Sequence, residues 1–346
     1  MKQRDALERR ATPASPCAGD RHVPASPSPA SAAADPDLAA ALATVVGAGA
    51  PSVLVAVANG AYADLVTAWA SSVAATRTPA LLFALDEEAA AAATAAGVAA
   101  FRVDLPIPDA QLREGGTGGS PPSNHAVSSL KYGLVGRVLA LGYTCAVSDV
   151  DVLFLSNPFG EGGELGALQS DVAASSDGWD AASAYGWDDV HDEPGLGWAR
   201  YAHSTRVMHL NSGLWAARPT AAAAAAVALV EARLAAEAGA WDQAVFNQVL
   251  LTPSHGGYAS PSPSLRVLGV DAFVNSRVLW SRLGPAAVGA GSVPAAAAPD
   301  RPVAVHVNYH PEKLARLRAV ASFYFDGNVR ALEALPVWGG SESAGL

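Results

Sequence analysis

From Ser52 onward the chain alternates short β-rich runs with alanine-rich helical ones, and this rhythm confines it to a layered α/β fold. "SVLVAVA" (Ser52–Ala58) reads as a strand, followed by the helical "AYADLVTAWASSVAAT". "ALLFAL" (Ala80–Leu85) is a second strand, and "DEEAAAAATAAG" a helix with acids in its first turn and Gly97 at its end. "AAFRVDL" is a third strand. The expectation is a doubly wound sheet of parallel strands.

Before Ser52 the pattern is different. Residues 1–50 are dominated by Pro, Ser and Ala and read as a disordered leader, 51–335 as one folded domain and 336–346 as a flexible tail. No apolar signal-peptide core is visible. In "LAAALATVVGAGAPSVLVAVA" (Leu38–Ala58), Pro51 and the Gly-Ala-Gly before it split the run into a short helix and a strand, which reads as core rather than as a membrane span. The sequence has no Asn-X-Ser/Thr sequon. An apolar fraction of 51% supports a sizeable core, and a net charge of −10 argues against nucleic acid as a partner. Cys17 and Cys145 sit in a polar tail and an apolar strand, so no structural disulfide is expected.

Further on, "LREGGTGGSPPSN" is a loop by composition. A helix starting near Asn124 carries an apolar stripe at Val127, Leu130, Leu134, Val138 and Leu141 and ends at Gly142. Glycine and serine return over Gly160–Gly178, then "DAASAYG" and "VMHLNSGLWAA" read as strands. "TAAAAAAVALVEARLAAEAG" and "DQAVFNQVLL" are helices, and "PVAVHVNYH" is a strand leading into the helical "PEKLARLRAVASF".

The run "YTCAVSDVDVLFLSNPF" (Tyr143–Phe159) places Asp149 and Asp151 among apolar residues. Side chains alternate along a strand, so the two carboxylates share one face. About 4 Å apart, like charges repel by ~4 kcal/mol at an effective dielectric near 20. Desolvation adds to that cost. A divalent cation removes both penalties, and hard carboxylates at a strand end suit Mg2+ or Mn2+ carrying a phosphate-bearing substrate. Beyond the carboxyl ends of strands is also where open α/β sheets bind ligands. The competing reading has both aspartates in water, capping the turn before Asn157-Pro158, and the triplet alone does not separate the two.

The order of "SDVDVLFLSNPF", "LNSGLWAARPT", "WDQAVFNQVL" and "VHVNYHPEK" resembles the nucleotide-diphospho-sugar transferase domain of glycosyltransferase family 77. The early "VAVANGAYADLVTAWASS" and "LLFALDEEA" are similar to that family's opening, so the resemblance covers about Ser52–Phe325. It implies a GT-A fold, a Rossmann-like α/β sheet with merged nucleotide-binding and acceptor-binding halves. It also implies a nucleoside-diphosphate sugar donor, a glycan or glycoprotein acceptor, and a Golgi enzyme. By that resemblance Asp149 and Asp151 hold Mn2+ (or Mg2+) against the diphosphate, and His306 is a third ligand. Lys313 reaches the diphosphate. Lys131 makes either a phosphate contact or a structural ion pair. Asn211, Gly213 and Asn308 bind substrate, and Asp242 and Gln243 face the donor sugar at the reacting centre. Read from the residues alone, "NSG" (Asn211–Gly213) is equally a β-bulge, His306 a core histidine and Lys313 a surface lysine. Transfer with retention, by front-face substitution, is the implied chemistry. The chain departs from the family where Leu153-Phe154 replace a frequent tryptophan and where no membrane anchor is seen.

Two rivals remain. One is a haloacid-dehalogenase-like phosphatase with Asp149 as nucleophile, although Leu153 stands where that motif has Thr or Val. The other is an inactive sugar-nucleotide or glycan-binding module. The aromatics Tyr185, Trp187, Trp198 and Tyr201 suit sugar stacking or a core equally, and "DDVHDE" reads as a solvated loop.

Overall fold

Strand β1 (Ser52–Ala58) is buried from both sides, because its alternate residues enter different cores. Val53 and Val55 pack with Leu38 and Leu42, whereas Leu54, Ala56 and Ala58 pack with Trp69 and Val73. Each fully buried Val or Leu contributes roughly 1.5–3 kcal/mol. An all-apolar run is therefore what a central strand requires.

The computed structural model describes residues 35–47, 51–103, 121–161, 163–178, 183–184, 191–193, 198–201, 210–237, 239–283, 301–308, 310, 312–328, 330–332 and 335. Helix α1 (Pro36–Val46) precedes β1; a 3-10 turn (Gly60–Tyr62), α2 (Ala63–Ala75), β2 (Ala80–Ala84), α3 (Glu87–Ala95) and β3 (Ala99–Arg102) follow it. Then come α4 (Pro121–Ala140), β4 (Thr144–Ser148), β5 (Val152–Phe154), β6 (Val172–Ser176), and the hairpin β7 (His191–Glu193) and β8 (Trp198–Tyr201). The chain continues through β9 (Leu210–Ala217), α5 (Ala221–Ala236), α6 (Asp242–Leu251), β10 (Leu265–Val267), β11 (Phe273–Asn275), α7 (Ser276–Leu283), β12 (Ala304–His306) and α8 (Lys313–Phe325).

The main sheet has seven strands in the order β10-β6-β9-β4-β1-β2-β3. Strands β4, β1, β2 and β3 run parallel, as expected, but β9 is antiparallel to both β4 and β6. The sheet is thus mixed, not all parallel. The reversal brings the start of β9, Leu210–Gly213, to the edge where β4 ends. Strand order reverses between β1 and β4, and the carboxyl ends of the two diverge there to leave a crevice. A smaller sheet, β11-β12-β5, closes the other side of that crevice.

Several local expectations hold. Gly97 and Gly142 take positive φ (90° and 84°) just past α3 and α4, a conformation that glycine adopts without strain. Asp86 caps α3, accepting from Ala89 N at 2.9 Å and also from Gly60 N at 2.7 Å. Others are corrected. The packed chain reaches back at least to Asp35, ahead of the leader boundary at residue 50, because Leu38 and Leu42 lie one turn apart and are both fully buried. Helix α4 begins at Pro121 rather than near Asn124. The strand expected at "DAASAYG" is absent among the described residues, where Ser183 and Ala184 are helical; the strand of this region is β6, within the stretch read as a glycine-serine loop. Half of "DDVHDE" is strand β7. Tyr185, Trp187, most of the leader and the tail 336–346 lie outside the described residues.

Candidate active site

The two aspartates are not on a strand. Strand β4 ends at Ser148, and Asp149–Asp151 form a turn closed by Val152 N donating to Asp149 O at 3.3 Å. Strand alternation therefore does not account for their shared direction; this turn and the strands on either side of it do. On one side β4 pairs antiparallel with β9, Ser148 opposite Leu214, and Asp149 N donates to Gly213 O at 2.7 Å. On the other side β5 pairs antiparallel with β12, with Val152 opposite His306, and Val307 N donates to Asp151 O at 2.9 Å. Two sheets thus deliver Gly213 and His306 to the same turn.

Asp149, Asp151 and His306 each offer a ligand atom, and these atoms lie within 4.8 Å of one another. His306 Nε2 is 3.2 Å from Asp151 Oδ1, and Lys313 Nζ donates to Asp151 Oδ2 at 2.6 Å. Asp151 and His306 are buried, whereas the Asp149 side chain is 49% exposed to the cleft. Burial opposes the charged form of Asp151, but Lys313 and then His306 override it and hold the carboxyl well below the usual range. His306 mirrors this: burial disfavours the imidazolium, yet Asp151 and Asp149 raise its pKa. Lys313 is raised chiefly by Asp151, against its own burial. His306 Nδ1 is nonetheless buried without a hydrogen-bond partner, and Asp151 Oδ1 has no neighbour of that kind beyond the His306 ion-pair contact. A Cβ added to Gly213 would come within 2.6 Å of Asp149 Oδ2 and 2.7 Å of His306 Cε1, so only glycine lets the β9 backbone approach this closely.

On the opposite wall the charged and amide groups that face the cleft are bonded to one another. Lys131 Nζ lies 2.8 Å from Asp242 Oδ2 and 3.7 Å from Asp149 Oδ1, and it donates to Ser212 O at 3.0 Å. Of the two readings of Lys131, the ion pair is what the structure displays. Burial would lower its pKa, but Asp149 and Asp242 together drive it above the ordinary lysine range. Asp242 is lowered in turn, Lys131 outweighing burial, and it accepts from Ser212 Oγ at 3.1 Å. Beneath them Tyr132, Trp215 and Phe246 stack with centroids 5.1–6.1 Å apart. Asn247 stitches α6 to the start of β9, accepting from Leu210 N and donating to Leu210 O, both at 2.8 Å.

Asp177, just past β6, was not among the expected residues. Its carboxylate accepts from Asn211 Nδ2 and Gln243 Nε2, both at 2.7 Å, and from Asn308 Nδ2 at 3.5 Å. Gln243 Oε1 also accepts from Ser212 N at 3.3 Å, so both ends of that amide are held. Asn275, at the end of β11, donates to Ser176 O and Gly178 O and so fixes the turn that carries Asp177. In the sequence only the glycine-serine character of Gly160–Gly178 marked this stretch, and nothing singled out its carboxylate. All ten expected residues, Lys131, Asp149, Asp151, Asn211, Gly213, Asp242, Gln243, His306, Asn308 and Lys313, line one cleft of about 310 Å3, joined by Asp177, Ser212 and Trp241.

Comparison with known proteins gives this geometry a context. The chain is 43% identical over 218 residues to arabinosyltransferase RRA2 of Arabidopsis thaliana, covering 63% of this chain and 48% of that protein. It is 40% identical over 207 residues to arabinosyltransferase RRA1 of the same plant, covering 60% and 48%. The chain thus spans about half the length of the curated relatives it matches. A crystal structure of galactosyltransferase LgtC with donor and acceptor sugar analogues aligns with a TM-score of 0.43 at 13% identity, over 82% of this chain and 97% of that one. No helix among the described residues is long and apolar enough to cross a membrane. The sequence pattern of nucleotide-diphospho-sugar transferases matches residues 76–318, from the end of α2 into α8 and through every cleft residue, and the chain belongs to that family.

Proposed function

We infer that this protein is a metal-dependent glycosyltransferase. It moves a pentose or hexose from a nucleoside-diphosphate sugar to a glycan or glycoprotein acceptor with retention at the anomeric carbon. The observation that carries the reading is the convergence of distant segments, after β4, at β9, at α6 and at β12–α8, on one cleft at the switch point of the sheet. Family membership favours this over the phosphatase reading.

The donor set fits a divalent cation. Two hard carboxylates and one imidazole converge within 4.8 Å, with Asp151 Oδ1 facing only His306 Nε2 at 3.2 Å and His306 Nδ1 without a partner. Asp149, Asp151 and His306 would hold Mn2+ (or Mg2+), which when bound supplies Lewis acidity to a departing nucleoside diphosphate. Lys313 adds a cation at the same end for the phosphate oxygens. Cation binding and protonation compete at His306, since the ligand form is the neutral imidazole.

At the other end, Lys131 keeps Asp242 anionic and Ser212 fixes its orientation. That preorganised charge suits an oxocarbenium-like carbon. The acceptor oxygen bonds to the anomeric carbon on the face from which the phosphate departs. The bond to the β-phosphate oxygen breaks, and the hydroxyl proton passes to that phosphate. Gln243, Asn211 and Asn308, aligned by Asp177, present their amides to donor hydroxyls. A secretory, Golgi setting follows from the family 77 resemblance, and a fluorescently tagged chain tests it.

Thermal stability measured with UDP plus Mn2+, with UDP alone and with Mn2+ alone tests the reading. Stabilisation by UDP only when Mn2+ is present, followed by slow hydrolysis of a UDP-sugar, is the expected result. Turnover of p-nitrophenyl phosphate without that stabilisation would overturn it.

A further inference from the structure

Tryptophan is a side chain that a fold gains much by burying, and Trp69, Trp215 and Trp280 are at most 1% exposed. Trp241 is 52% exposed, and among the described residues only Phe325 is another large apolar side chain left so open. It stands immediately before α6 and lines the cleft next to Asp242 and Gln243. At that N-cap position a helix gains most from Ser, Thr, Asp or Asn, worth about 1 kcal/mol over residues that cannot cap. Trp241 makes no side-chain cap bond; only its carbonyl takes part, accepting from Val245 N at 3.1 Å. Folding thus gains neither full burial nor a cap from this indole, which lines the cleft half-exposed.

Contacts order the cleft from end to end. Lys313 meets Asp151, Asp149 faces Lys131, Lys131 pairs with Asp242, and Trp241 adjoins Asp242 in sequence. The cationic end suited to phosphate and the exposed indole therefore flank the two residues assigned to the reacting centre. We propose that the Trp241 indole is the platform on which the apolar face of a neutral acceptor sugar ring stacks while its hydroxyl enters the cleft. A flat apolar ring with a negative face suits the C–H face of a saccharide. Lys131, the cation nearest Asp242, is already engaged by Asp242 and Asp149, and Asp177 adds a carboxylate to the same cleft, so a neutral acceptor suits it better than an anionic one. This assignment rests on the transferase reading and names the acceptor class for the same site.

The test compares W241A and W241F with the wild-type chain. The donors are UDP-arabinose, UDP-xylose and UDP-galactose, and the acceptor probes are methyl glycosides of the same sugars. W241A raises the acceptor KM by about tenfold against at most about twofold for the donor, and W241F recovers most of the difference. Equal rises in both constants, which would put the nucleotide or donor sugar on the indole, or no rise in either, overturn the proposal. A second readout is independent of turnover. With 5-fluorotryptophan incorporated, the fluorine resonance lost in W241F identifies Trp241, and methyl glycosides added with UDP and Mn2+ shift it. A resonance unmoved by every glycoside sinks the platform. Failure of the wild type to bind UDP with Mn2+ counts instead against the transferase reading, and the fluorine signal still reports on the sugar.

Discussion

The two walls of the cleft are both built from buried charge, yet they are completed differently. On the wall carried by the main sheet, Lys131, Ser212, Asp242, Gln243 and Asn247 bond to one another and to the β9 backbone. On the wall carried by the small sheet, Asp151 is engaged by Lys313 and His306 alone, and His306 Nδ1 is buried without a partner. A buried polar atom left unpaired costs roughly 1–3 kcal/mol. On the first wall the groups that face the cleft are thus paired, whereas on the second an imidazole nitrogen beside the cleft is left for a ligand to engage on the proposed reading. On the proposed function, preorganisation belongs to the wall assigned to the sugar and incompleteness to the wall assigned to the ion.

The largest effect expected from breaking this contrast is on the ion side. Asp151→Asn removes a ligand and the counter-charge of Lys313, and turnover of UDP-sugar falls by more than about a thousandfold together with Mn2+-dependent UDP stabilisation. If nucleotide binding survives, the incomplete wall is not the ion site. On the first wall, Lys131→Met strands Asp242 as a buried charge and costs roughly 3–5 kcal/mol in urea unfolding. A loss under 1 kcal/mol, by the same scale, would show that the wall is not held by this pair. Asp242→Asn keeps the shape of the wall but removes its charge. Turnover falls by about a hundredfold while UDP–Mn2+ binding is retained, and equal loss of both would refute its place at the reacting centre.

Smaller effects sharpen the contrast. Mn2+ alone stabilises the wild type by about 2.7 kcal/mol at a hundredfold excess over its Kd, and does nothing for Asp151→Asn. The smallest concerns the base of the small-sheet wall, where His310 is buried against Trp280. Burial, then Arg316, lowers its pKa to about 4, with Glu312 opposing. The folded protein therefore holds His310 neutral while the unfolded chain titrates near 6.5. Its contribution is intact above about pH 6.5 and is lost as the pH falls toward 4. Unfolding curves of His310→Gln should lack that portion of the acid slope.

Much of this was legible in the order of residues. Apolar strands separated by helices specify the layered fold, since period-2 burial of β1 and β2 on both faces demands cover on both. Gly97 and Gly142 mark helix ends because each needs a left-handed backbone, and Asp149 and Asp151 draw notice because carboxylates are costly in an apolar run. Asp177 escaped attention because a lone aspartate in a serine-rich stretch carries no local signal; it matters only through Asn211, Gln243 and Asn308, which reach it from three other segments. Lys131 could be narrowed to two roles but not assigned between them, since its partner Asp242 lies on another helix.

The chain's own order thus determined most of the strands and helices and where helices such as α3 and α4 stop, because these follow from short-range periodicity and backbone preference. Tertiary structure alone decided that β9 runs antiparallel, that β5 pairs with β12 in the register that sets His306 beside Asp151, and that Lys313 closes on a carboxylate 162 positions away. The physical reason is that strand direction, register and ion pairing are fixed by surfaces brought together only when both sheets pack around one crevice.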